Sequence, residues 1–470
     1  MSRPNVLLVV SDDQGRWSVG PYGNREISTP VLDRLAAQGW VMERAYSPSG
    51  VCSPARASLF TGRLPSQHGV HDFLSESIEH EVNWLEGEVL LPELLQGEGY
   101  RTGLFGKWHA TPDPVPPQRG FDRWLSYDVF RFGWQNQYLH EGEVAFSDEG
   151  ESVLVTGHQA DHLTQQALEF IAESGDEPWF AFVGYAAPHF PFEGYPERLV
   201  ESYRDVELTS SFPRGESTHL EPANEASVPP EDPSEIFAQY AAGVTFLDEQ
   251  LGRLVAELER RGELDDTLVV FTSDHGQMMG HHGLVGKANA SLPQNLYRET
   301  MEIPMVLHWP AGLPESGRSK APFDLVDLFA TVLDAVGVKE PEEETVRANR
   351  PGRSVLAKLV DPELTWRQMQ YAEHGTVRAI VGPRYKLVVR YGPLPEGHGD
   401  ELYDLVNDPR ETRNRIADEA LAEVRETLRS QLDEHFDRYS EPGRAGSEAL
   451  SQSPQNGNEP WRRLALRAEE

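Results

Sequence analysis

The chain has 470 residues, and its 76 acidic residues against 42 Lys and Arg give a formal net charge of −34. This balance speaks against a nucleic-acid or anionic-membrane partner, because either would need a broad basic face. Apolar residues make up 39% of the chain, enough for a packed core, and the single cysteine excludes a disulfide framework and a cysteine-based zinc site. The amino-terminal apolar run Val6–Val10 is too short for a signal sequence or a membrane span, so we expect a cytoplasmic protein.

Strand and helix patterns alternate through most of the chain. The β-branched and Leu run at Val6–Val10 predicts a strand buried on both faces, and Thr29-Pro30 marks the start of a helix with Thr29 as its N-cap. Further strands are predicted at Tyr100–Phe105, Trp179–Gly184, Thr267–Thr272 and Ile303–His308, and helices at Ala160–Glu173, Pro233–Arg261 and Asp324–Val336. The alternation predicts an α/β fold, with a large mixed, mostly parallel sheet and helices on both faces.

The sequence changes character after about residue 365. Hairpin strands are predicted at Ala379–Val381 and Tyr385–Tyr391, a further strand at Glu401–Leu405, and a polar helix up to Arg438. We therefore predict a main α/β domain over residues 1–362 and a small α+β subdomain over residues 363–440. Residues 441–470, rich in Ser, Gly, Pro, Gln and Glu, are predicted to form a loosely ordered tail.

Two of the predicted strands end in the same way. Asp12 and Asp13 follow the first strand, and Asp274 and His275 follow the strand at Thr267–Thr272. Ligands bind outside the carboxyl ends of the strands in open α/β sheets, so we expect these residues to meet there. Three carboxylates that close would repel one another unless a cation neutralised them, and Ca²⁺, Mg²⁺ and Mn²⁺ prefer oxygen ligands. Strand-terminal Asp residues are often turn formers, but two matched ends favour a shared metal site.

The single cysteine, Cys52, lies directly before a helical pattern at Ala55–Thr61. The N-terminus of a helix favours anions, and Arg56, one turn further on, can reach the same spot. An isolated cysteine is most often a small buried hydrophobe. The flanking Ser-Pro and the nearby Arg are unlike a core setting, so Cys52 is a candidate functional residue.

Basic groups follow two further strands. Lys107 and His109 come after the strand at Tyr100–Phe105, and His189 comes after Trp179–Gly184. Each one taken singly is an ordinary loop residue or a solvated charge. Their convergence with a metal-binding carboxylate cluster indicates an oxyanion site, or a site for sulfuryl or phosphoryl transfer.

Together these motifs resemble the type I formylglycine-dependent sulfatases of the alkaline-phosphatase superfamily. The matching segments, in the order of that family, are Asn5–Asp13, Cys52–Arg56 with the C-x-P-x-R signature, Gly106–His109, Ala187–His189, Ser273–Gly276, Gly286-Lys287 and Tyr297–Pro304. Tyr385–Leu387, Glu401–Leu405 and Asp408-Pro409 resemble the C-terminal subdomain of the family. The resemblance covers residues 4 to 420, roughly, and implies an alkaline-phosphatase-like fold.

The resemblance implies a hydrolase that cleaves a sulfate monoester to an alcohol and inorganic sulfate. A dedicated formylglycine-generating enzyme would oxidise Cys52 to an aldehyde, and one hydroxyl of its hydrate would attack sulfur. The second hydroxyl would then lose its proton and expel sulfate, whereas a plain serine or cysteine would remain as a stable ester. The metal ligands would be Asp12, Asp13, Asp274, His275 and the oxygen of residue 52.

The resemblance also implies roles for the basic residues. Arg56 would steady the hydrate, and Lys107 and Lys287 would neutralise the sulfate oxygens. His109 would take the proton of the second hydroxyl, and His189 would protonate or bind the leaving oxygen. General acid–base help of this kind contributes about 10²–10⁴-fold to a rate.

Three positions depart from the pattern of many relatives. His275 stands where the family often has Asn, and imidazole is a softer ligand than an amide oxygen. We expect Ca²⁺ as the cation, with Mn²⁺ or Mg²⁺ as alternatives. The fourth position of the signature is Ala55 instead of the commoner Ser, and the stretch Ala288–Asn295 after Lys287 is longer than in many relatives, so we expect it to line the substrate pocket.

Other functions fit the sequence less well. A phosphonate monoester or phosphodiester hydrolase of the same superfamily generally lacks the second metal-side Asp and the Lys-x-His motif, so Asp13, Lys107 and His109 favour sulfate. A catalytically inactive scaffold protein with the same fold would be expected to lack some of the site residues, and no such loss is apparent in the sequence. A direct Cys-His hydrolase leaves the carboxylates unexplained.

The expected substrate is a small-molecule or saccharide sulfate ester, with a sulfated carbohydrate favoured over an aryl or choline ester. The strong acidity disfavours a long polyanion held along its whole length. Candidates for the pocket rim are the aromatic and histidine side chains Trp134, Tyr138, His140, His158, Phe190, Phe192, His281 and His282.

Overall fold

The computed structural model describes residues 3–469, apart from residues 314 and 395 and the side chains of residues 132, 134, 346, 468 and 469. The strands are β1 (Asn5–Ser11), β2 (Trp40–Met42), β3 (Ala45–Tyr46), β4 (Arg101–Gly106), β5 (Arg123–Tyr127), β6 (Glu141–Asp148), β7 (Glu151–His158), β8 (Trp179–Gly184), β9 (Glu221–Pro222), β10 (Thr267–Ser273), β11 (Met278–Met279), β12 (Val285–Gly286), β13 (Ser291–Leu292), β14 (Met305–His308), β15 (Gly317–Ser319), β16 (Phe323–Asp324), β17 (Gln370–His374), β18 (Val377–Val381), β19 (Tyr385–Arg390) and β20 (Glu401–Asp404). The helices are α1 (Pro30–Gln38), α2 (Cys52–Thr61), α3 (Pro65–His68), α4 (Leu91–Gly97), α5 (Val129–Phe132), α6 (Gln159–Glu173), α7 (Glu197–Arg204), α8 (Ser234–Arg261), α9 (Arg298–Met301), α10 (Leu325–Val336), α11 (Glu342–Ala348), α12 (Leu356–Val360), α13 (Ala422–Tyr439) and α14 (Pro460–Glu469).

A ten-stranded sheet forms the centre of the molecule, in the order β15-β2-β14-β10-β1-β8-β4-β5-β6-β7. The middle strands β10, β1, β8, β4 and β5 run parallel to one another. Antiparallel pairing appears toward the edges, between β10 and β14, between β14 and β2, and along β5, β6 and β7. The predicted large mixed, mostly parallel sheet is confirmed.

Strand β1 shows why helices cover both faces of this sheet. Successive side chains of a strand point to opposite faces, so Leu7 and Val9 pack into one apolar cluster with α1, α6 and α8. Leu8 and Val10 pack into a second cluster with α2, α4 and α10. A strand buried on both faces reads as a continuous apolar run, and the sequence carries that pattern at this strand.

The register of the middle strands brings their carboxyl ends together. Ser11 pairs with Ser273, and Gly106 pairs with Gly184, so the loops after β1, β10, β4 and β8 leave the sheet side by side. At Gly106 the backbone has φ of 107°, and a Cβ there would collide with the carbonyl oxygen of Gly184. Only glycine fits both requirements, and the tight passage leads directly into Lys107.

The main domain also contains features that were not predicted, among them the strands β2, β5 and β15. The hairpin of β6 and β7 extends the sheet, although its polar residues and glycines hide the strand pattern in the sequence. Thr29 is the N-cap residue of α1, as predicted, although its side chain makes no cap hydrogen bond. Asp248 of α8 instead accepts hydrogen bonds from the backbone N–H groups of Val31 and Leu32, at 2.9 and 2.8 Å.

A small antiparallel sheet, β17-β18-β19-β20, follows the main sheet and packs against α13. Leu428, Leu432 and Phe436 of α13 are buried against the apolar face of this sheet. The predicted C-terminal α+β part is therefore confirmed.

The segment after Ser440, predicted to be loosely ordered, is packed in the structure. It contains a 3₁₀ helix at Gly446–Ser451 and the helix α14, and it buries Gln455, Asn456 and Trp461. Composition misses this order because the buried side chains are held by distant parts of the chain. Across the described residues, none of the helices combines the length and apolarity needed to span a membrane.

Candidate active site

The loops after β1 and β10 and the start of α2 build one buried cluster of ligand-type side chains. Asp12, Cys52, Asp274 and His275 each offer a ligand atom within 4.8 Å of the others, and Asp12, Asp13, Cys52 and His189 form an overlapping group. The sequence places the aspartates at two strand ends and the cysteine before a helix, and the structure brings all of them together. This cluster could hold a metal ion.

Cys52 is the first residue of α2, three positions earlier than the predicted start of this helix. Its sulfur lies 3.0 Å from Lys287 Nζ, 3.2 Å from His275 Nε2 and 3.5 Å from Asp12 Oδ1. Burial opposes ionisation of the thiol, but Lys107, Lys287 and His275 together lower the pKa of Cys52 well below its ordinary value. An anion at this position is therefore strongly stabilised.

The carboxylates of the cluster are fully buried and unequally stabilised. Burial and the Cys52 sulfur oppose ionisation of Asp12, yet Lys107, His189 and Arg56 hold the pKa of Asp12 at about 2. The pKa of Asp274 is raised, because burial and the neighbouring charge of Asp12 outweigh its basic neighbours. A further positive charge at the cluster would relieve this repulsion.

Arg56 lies against two carboxylates of the cluster, those of Asp12 and Asp274. Its Nε donates to Asp274 Oδ2 at 2.9 Å, and one terminal nitrogen donates to the carbonyl oxygen of Lys107 at 2.7 Å. The other terminal nitrogen lies 3.7 Å from Asp12 Oδ2 and makes no hydrogen bond within the described chain. The guanidinium is completely buried, so its cation is committed to this cluster.

Two lysines reach the cluster, and each pairs with a different carboxylate. Lys107 Nζ forms an ion pair with Asp12 and donates to the Tyr138 hydroxyl at 3.0 Å. Lys287 Nζ lies 2.8 Å from Asp13 Oδ1, and although burial opposes the charged form, Asp13 raises the pKa of Lys287. Both ammonium groups therefore stay charged beside the position of Cys52.

The hydrogen-bond partners of His109 and His189 assign their tautomers. His109 Nε2 lies 3.0 Å from the carbonyl oxygen of Leu74, which can only accept, so Nε2 carries the hydrogen. Its Nδ1 is then an acceptor, and it has no hydrogen-bond partner among the described residues. His189 Nδ1 donates to the carbonyl oxygen of Phe190, and its Nε2 lies 3.0 Å from Lys287 Nζ.

His275 presents its Nε2 to the cluster. Its Nδ1 donates to the carbonyl oxygen of Gly276 at 2.9 Å, which fixes the ring orientation. Burial opposes the charged ring, but Asp274 and the Cys52 sulfur raise the pKa of His275 to about 9. Binding of a metal ion at Nε2 would displace this proton.

Strained backbone accompanies the site. Asp13 and His109 have φ of 61° and 50°, in the left-handed region that non-glycine residues rarely adopt. The Asp13 carbonyl oxygen accepts a hydrogen bond from the Tyr240 hydroxyl at 2.9 Å. Such conformations persist only where the surrounding structure enforces them, and they concentrate at functional sites.

Two adjoining cavities open above the cluster. The nucleophile-side cavity, of about 390 Å³, is lined by Cys52, Phe73, Ser75, Glu76, Ser77, His109, Gln137, Tyr138, His189, Lys287, Asn289 and Asn456–Asn458. The helix-side cavity, of about 570 Å³, is lined by Asp13, Phe73, His189, Phe190, Phe192, Asn224, Ala226, Ser227, Gln277, Val285–Lys287, Asn289, Ala290, Asn458 and Arg463.

The predicted rim residues divide into two sets. Tyr138, Phe190 and Phe192 line the cavities, whereas His140, His158, His281 and His282 line neither. The side chain of Trp134 lies outside the described residues. Asn289 and Ala290 come from the stretch Ala288–Asn295, which therefore contributes to the pocket wall as predicted.

Sequence reasoning missed several lining residues. Phe73 and Glu76 lie in the loop after α3, and Asn456–Asn458 and Arg463 lie in the tail that composition assigns to loose order. No motif marks these residues. The tail is held by hydrogen bonds from the buried side chain of Gln455 to the backbone of Gly69, His71 and Asp72, and only the folded structure reveals these contacts.

The geometry defines a class of site, in which a buried cysteine lies among carboxylates, a histidine and two lysines, as in a hydrolase of charged esters. Comparison with known families agrees with this class. The model of the family described as "Sulfatase" matches residues 4–338, and the model described as "N-sulphoglucosamine sulphohydrolase, C-terminal" matches residues 293–438. The chain belongs to the sulfatase family of the alkaline-phosphatase superfamily, and it is an enzyme, a sulfuric ester hydrolase.

Named relatives align over nearly the whole chain. The sulfatase YidJ of Escherichia coli (strain K12), whose activity is uncharacterized, is 29% identical over 503 residues, covering 99% of this chain and 92% of its own. The N-acetylglucosamine-6-O-sulfatase of Bacteroides thetaiotaomicron is 26% identical, covering 93% of this chain and 87% of its own.

Solved structures share the fold. A protein in complex with its substrate D-glucosamine-2-N,6-O-disulfate superimposes with a TM-score of 0.79 at 23% identity, covering 94% of this chain and 99% of the other. The phosphonate monoester hydrolase of Agrobacterium radiobacter superimposes with a TM-score of 0.71 at 23% identity, covering 93% and 96%. At these identities the likeness concerns the fold.

Proposed function

We propose that this sulfatase hydrolyses a sulfate monoester on a carbohydrate, using a formylglycine hydrate at position 52 and one divalent cation. The observation that carries the proposal is the setting of Cys52, whose sulfur lies within 3.5 Å of Asp12, Lys287 and His275. This setting stabilises an anionic oxygen or sulfur at residue 52, which is what a nucleophile toward sulfur requires.

The donor set fits a divalent cation. Asp12, Asp13, Asp274 and His275 would hold it together with the oxygen of residue 52, since their ligand atoms already converge. Hard carboxylate oxygens suit Ca²⁺, and the imidazole of His275 keeps Mn²⁺ and Mg²⁺ as alternatives. When bound, the cation would supply Lewis-acid charge for the sulfate oxygens.

Conversion of Cys52 to formylglycine would supply the second hydroxyl that lets the enzyme release sulfate. The formylglycine-generating enzyme would act on the Cys52–Arg56 signature before the chain folds, because Cys52 is only 1% exposed in the folded protein. Arg56 would then steady the modified residue from its position against Asp274.

Lys107 and Lys287 would neutralise the sulfate oxygens in this scheme. Both ammonium groups adjoin the Cys52 sulfur and remain charged, so they are placed to stabilise negative charge as it develops. Removing one such donor from an enzyme site commonly lowers the turnover rate by about 10²–10³-fold.

His109 and His189 would handle the protons. The Nδ1 lone pair of His109 is unused, and His109 lines the same cavity as Cys52, as a base for residue 52 requires. His189 stacks on Tyr138 with ring centroids 3.9 Å apart and lines both cavities, which suits a group that protonates the leaving oxygen.

The polar wall of the nucleophile-side cavity supports a carbohydrate substrate. Gln137, Asn289, Asn456 and Asn458 line it, and Phe73 offers an aromatic face. Amide groups suit the hydroxyl groups of a sugar, and an aromatic ring packs against its apolar face. The relatives named for carbohydrate sulfates lend the same support.

Two measurements test the proposal. Mass spectrometry of the peptide that carries residue 52, from protein made with a formylglycine-generating enzyme, should show the aldehyde. Fully active protein with only unmodified cysteine would overturn this mechanism. One preparation should also be compared on N-acetylglucosamine 6-sulfate, 4-nitrophenyl sulfate, a phosphonate monoester and a phosphodiester. Faster turnover of either phosphorus compound would instead support the phosphonate or phosphodiester hydrolase, a fold neighbour of this chain.

A further inference from the structure

The two cavities above the cluster form one substrate space with two different ends. They share Phe73, His189, Lys287, Asn289 and Asn458 as walls, so they adjoin each other, and Cys52 lines the nucleophile-side cavity. A substrate seated on the catalytic cluster therefore has room on both sides. The charge of each end decides which groups of the substrate it accepts.

The two ends differ in charge. Glu76 lines the nucleophile-side cavity and gives this end an acidic group. The helix-side cavity contains Arg463, whereas Asp13, His189 and Lys287, which also line it, belong to the cluster around Cys52. The remaining lining residues of that cavity are neutral amides, a serine and apolar side chains.

Arg463 differs from the other arginines of α14. Arg462 forms an ion pair with Glu459, and Arg467 lies 2.8 Å from a carboxylate oxygen of Glu221. Arg463 donates one hydrogen bond to the carbonyl oxygen of Ala223 at 2.8 Å, and no carboxylate of the described residues pairs with it. In a chain with 76 acidic residues and 42 basic ones, an arginine turned to a cavity without an acidic partner is available for a ligand.

The tail holds Arg463 in place before any ligand arrives. Gln455 Oε1 accepts from the backbone N–H groups of His71 and Asp72, both at 2.7 Å, and its Nε2 donates to the carbonyl oxygen of Gly69 at 2.7 Å. Trp461 is buried at the start of α14. Binding an anion would therefore cost little ordering of this helix.

We propose that Arg463 binds a second anionic group of the substrate in the helix-side cavity. The preferred substrate is then a saccharide that carries, beside the sulfate ester to be cleaved, another sulfate or a carboxylate. The neutral, hydroxylated end of the molecule would lie toward Glu76. The guanidinium can form two parallel hydrogen bonds to such an oxyanion, the geometry that makes arginine selective for it. This inference rests on the proposed carbohydrate sulfatase activity.

Calorimetry on metal-loaded Cys52→Ala protein separates binding from turnover. Two ligand pairs serve as probes: N-acetylglucosamine 6-sulfate with glucosamine 2-N,6-O-disulfate, and N-acetylgalactosamine 6-sulfate with its 4,6-disulfate. We expect one of the disulfates to bind about tenfold more tightly than its monosulfate partner, as a charge-assisted hydrogen bond allows. Adding Arg463→Gln should abolish this preference, and Arg463→Lys should keep part of it.

Arg467→Gln is the matched control, since it removes the same charge from the same helix at a residue that lines neither cavity. It should leave the preference for the disulfate unchanged, and melting curves should show that each variant is folded. Equal weakening of both ligands by Arg463→Gln, an unchanged preference, or no binding of either disulfate would overturn the inference.

Turnover by the Cys-containing, modified enzyme distinguishes the two proposals. If a disulfate binds more tightly than its monosulfate because of Arg463 but no saccharide sulfate is hydrolysed, the proposed activity is refuted and the second anion site is retained. Hydrolysis that proceeds with the same KM for monosulfate and disulfate in wild type and Arg463→Gln would refute the second anion site and retain the activity.

Discussion

The ammonium nitrogen of Lys287 lies 3.0 Å from the sulfur of Cys52 and 2.8 Å from Oδ1 of Asp13. One lysine therefore touches both Cys52, the proposed nucleophile position, and a carboxylate of the cluster. Its side chain is 14% exposed and also lines the cavities, so the same ammonium can meet a sulfate oxygen. Lys107 makes the corresponding ion pair with Asp12, but it is fully buried.

Replacing Lys287 with Met should lower the activity much more than the stability of the fold. Met keeps the length of the side chain and removes the charge, so we expect kcat/KM for a sulfate ester to fall by about 10²–10³-fold. The fold should persist, because Lys287 lies at the cavity wall. Steady-state kinetics and a melting curve measure both effects. Asn289→Ala, a neighbouring wall residue, should change the same ratio less than tenfold, and a similarly mild effect at Lys287 would contradict the assignment.

The thiol of Cys52 should react as a thiolate in unmodified, metal-free protein. Lys107, Lys287 and His275 overcome the effect of burial and lower the pKa of Cys52 well below its ordinary value. The rate of alkylation by iodoacetamide should therefore stay nearly constant between pH 7 and pH 8.5, whereas a free thiol gains about tenfold per pH unit below its pKa of ~8.5. Because Cys52 is the single cysteine, mass spectrometry of the intact protein follows the reaction directly.

The matched variant for this labelling is Lys287→Met. Loss of the nearby ammonium should raise the pKa of Cys52 and restore a rising rate across the same pH range. A wild-type rate that climbs as steeply as that of free cysteine would show that the sulfur is not held as an anion.

Much of the fold could be predicted because buried parallel strands carry a local signal. The apolar runs at β1, β8 and β10 mark strands that are covered on both faces, and all three lie at the centre of the sheet. The β6–β7 hairpin carries no run of that length, since it lies at the edge and its short apolar stretches, Val144–Phe146 and Val153–Val155, are flanked by polar residues and glycines. The cap of α1 by Asp248 joins residues 217 positions apart, which no local pattern reveals.

The site could be predicted where chemistry-bearing residues follow strands. Asp12 and Asp274 meet because β1 and β10 are parallel neighbours in register, a relation that the matched strand ends already indicated. The tail could not be predicted in this way. Asn458 and Arg463 reach the cavity because Gln455 bonds to Gly69, 386 positions earlier, and only the folded chain makes that contact.

A divalent cation should raise the melting temperature through the carboxylate cluster. Burial and Asp12 raise the pKa of Asp274, and a bound cation would remove this repulsion. Chelation should lower both activity and melting temperature, and Ca²⁺ should restore them, with Mn²⁺ and Mg²⁺ tested alongside. At 100 times its Kd a cation stabilises the folded state by about 2.7 kcal/mol. Asp274→Asn should abolish the shift, and a shift of wild-type size in this variant would place the cation elsewhere.

Glu459 should make the stability of the fold depend on pH near neutrality. Its carboxyl group is buried where the tail meets the core, and burial together with the charge of Asp72 outweighs the pairing with Arg462 and raises the pKa of Glu459 to about 7 from an ordinary value of 4.5. Between these values the folded state holds a proton that the unfolded chain has released. The free energy of unfolding should therefore fall as pH rises from about 4.5 to about 7, and this contribution should level off above pH 7.

Glu459→Gln removes this titration while keeping an acceptor for the backbone N–H of Gln455, which lies 2.8 Å from Oε1. Between pH 5 and pH 7.5 the free energy of unfolding of the variant should fall by about 2 kcal/mol less than that of the wild type. Urea denaturation across that pH range measures this difference. Glu448→Gln, an exposed glutamate of the same tail, is the control and should follow the wild-type profile. Identical pH profiles for Glu459→Gln and wild type would show that Glu459 is ionised in the folded protein at pH 5.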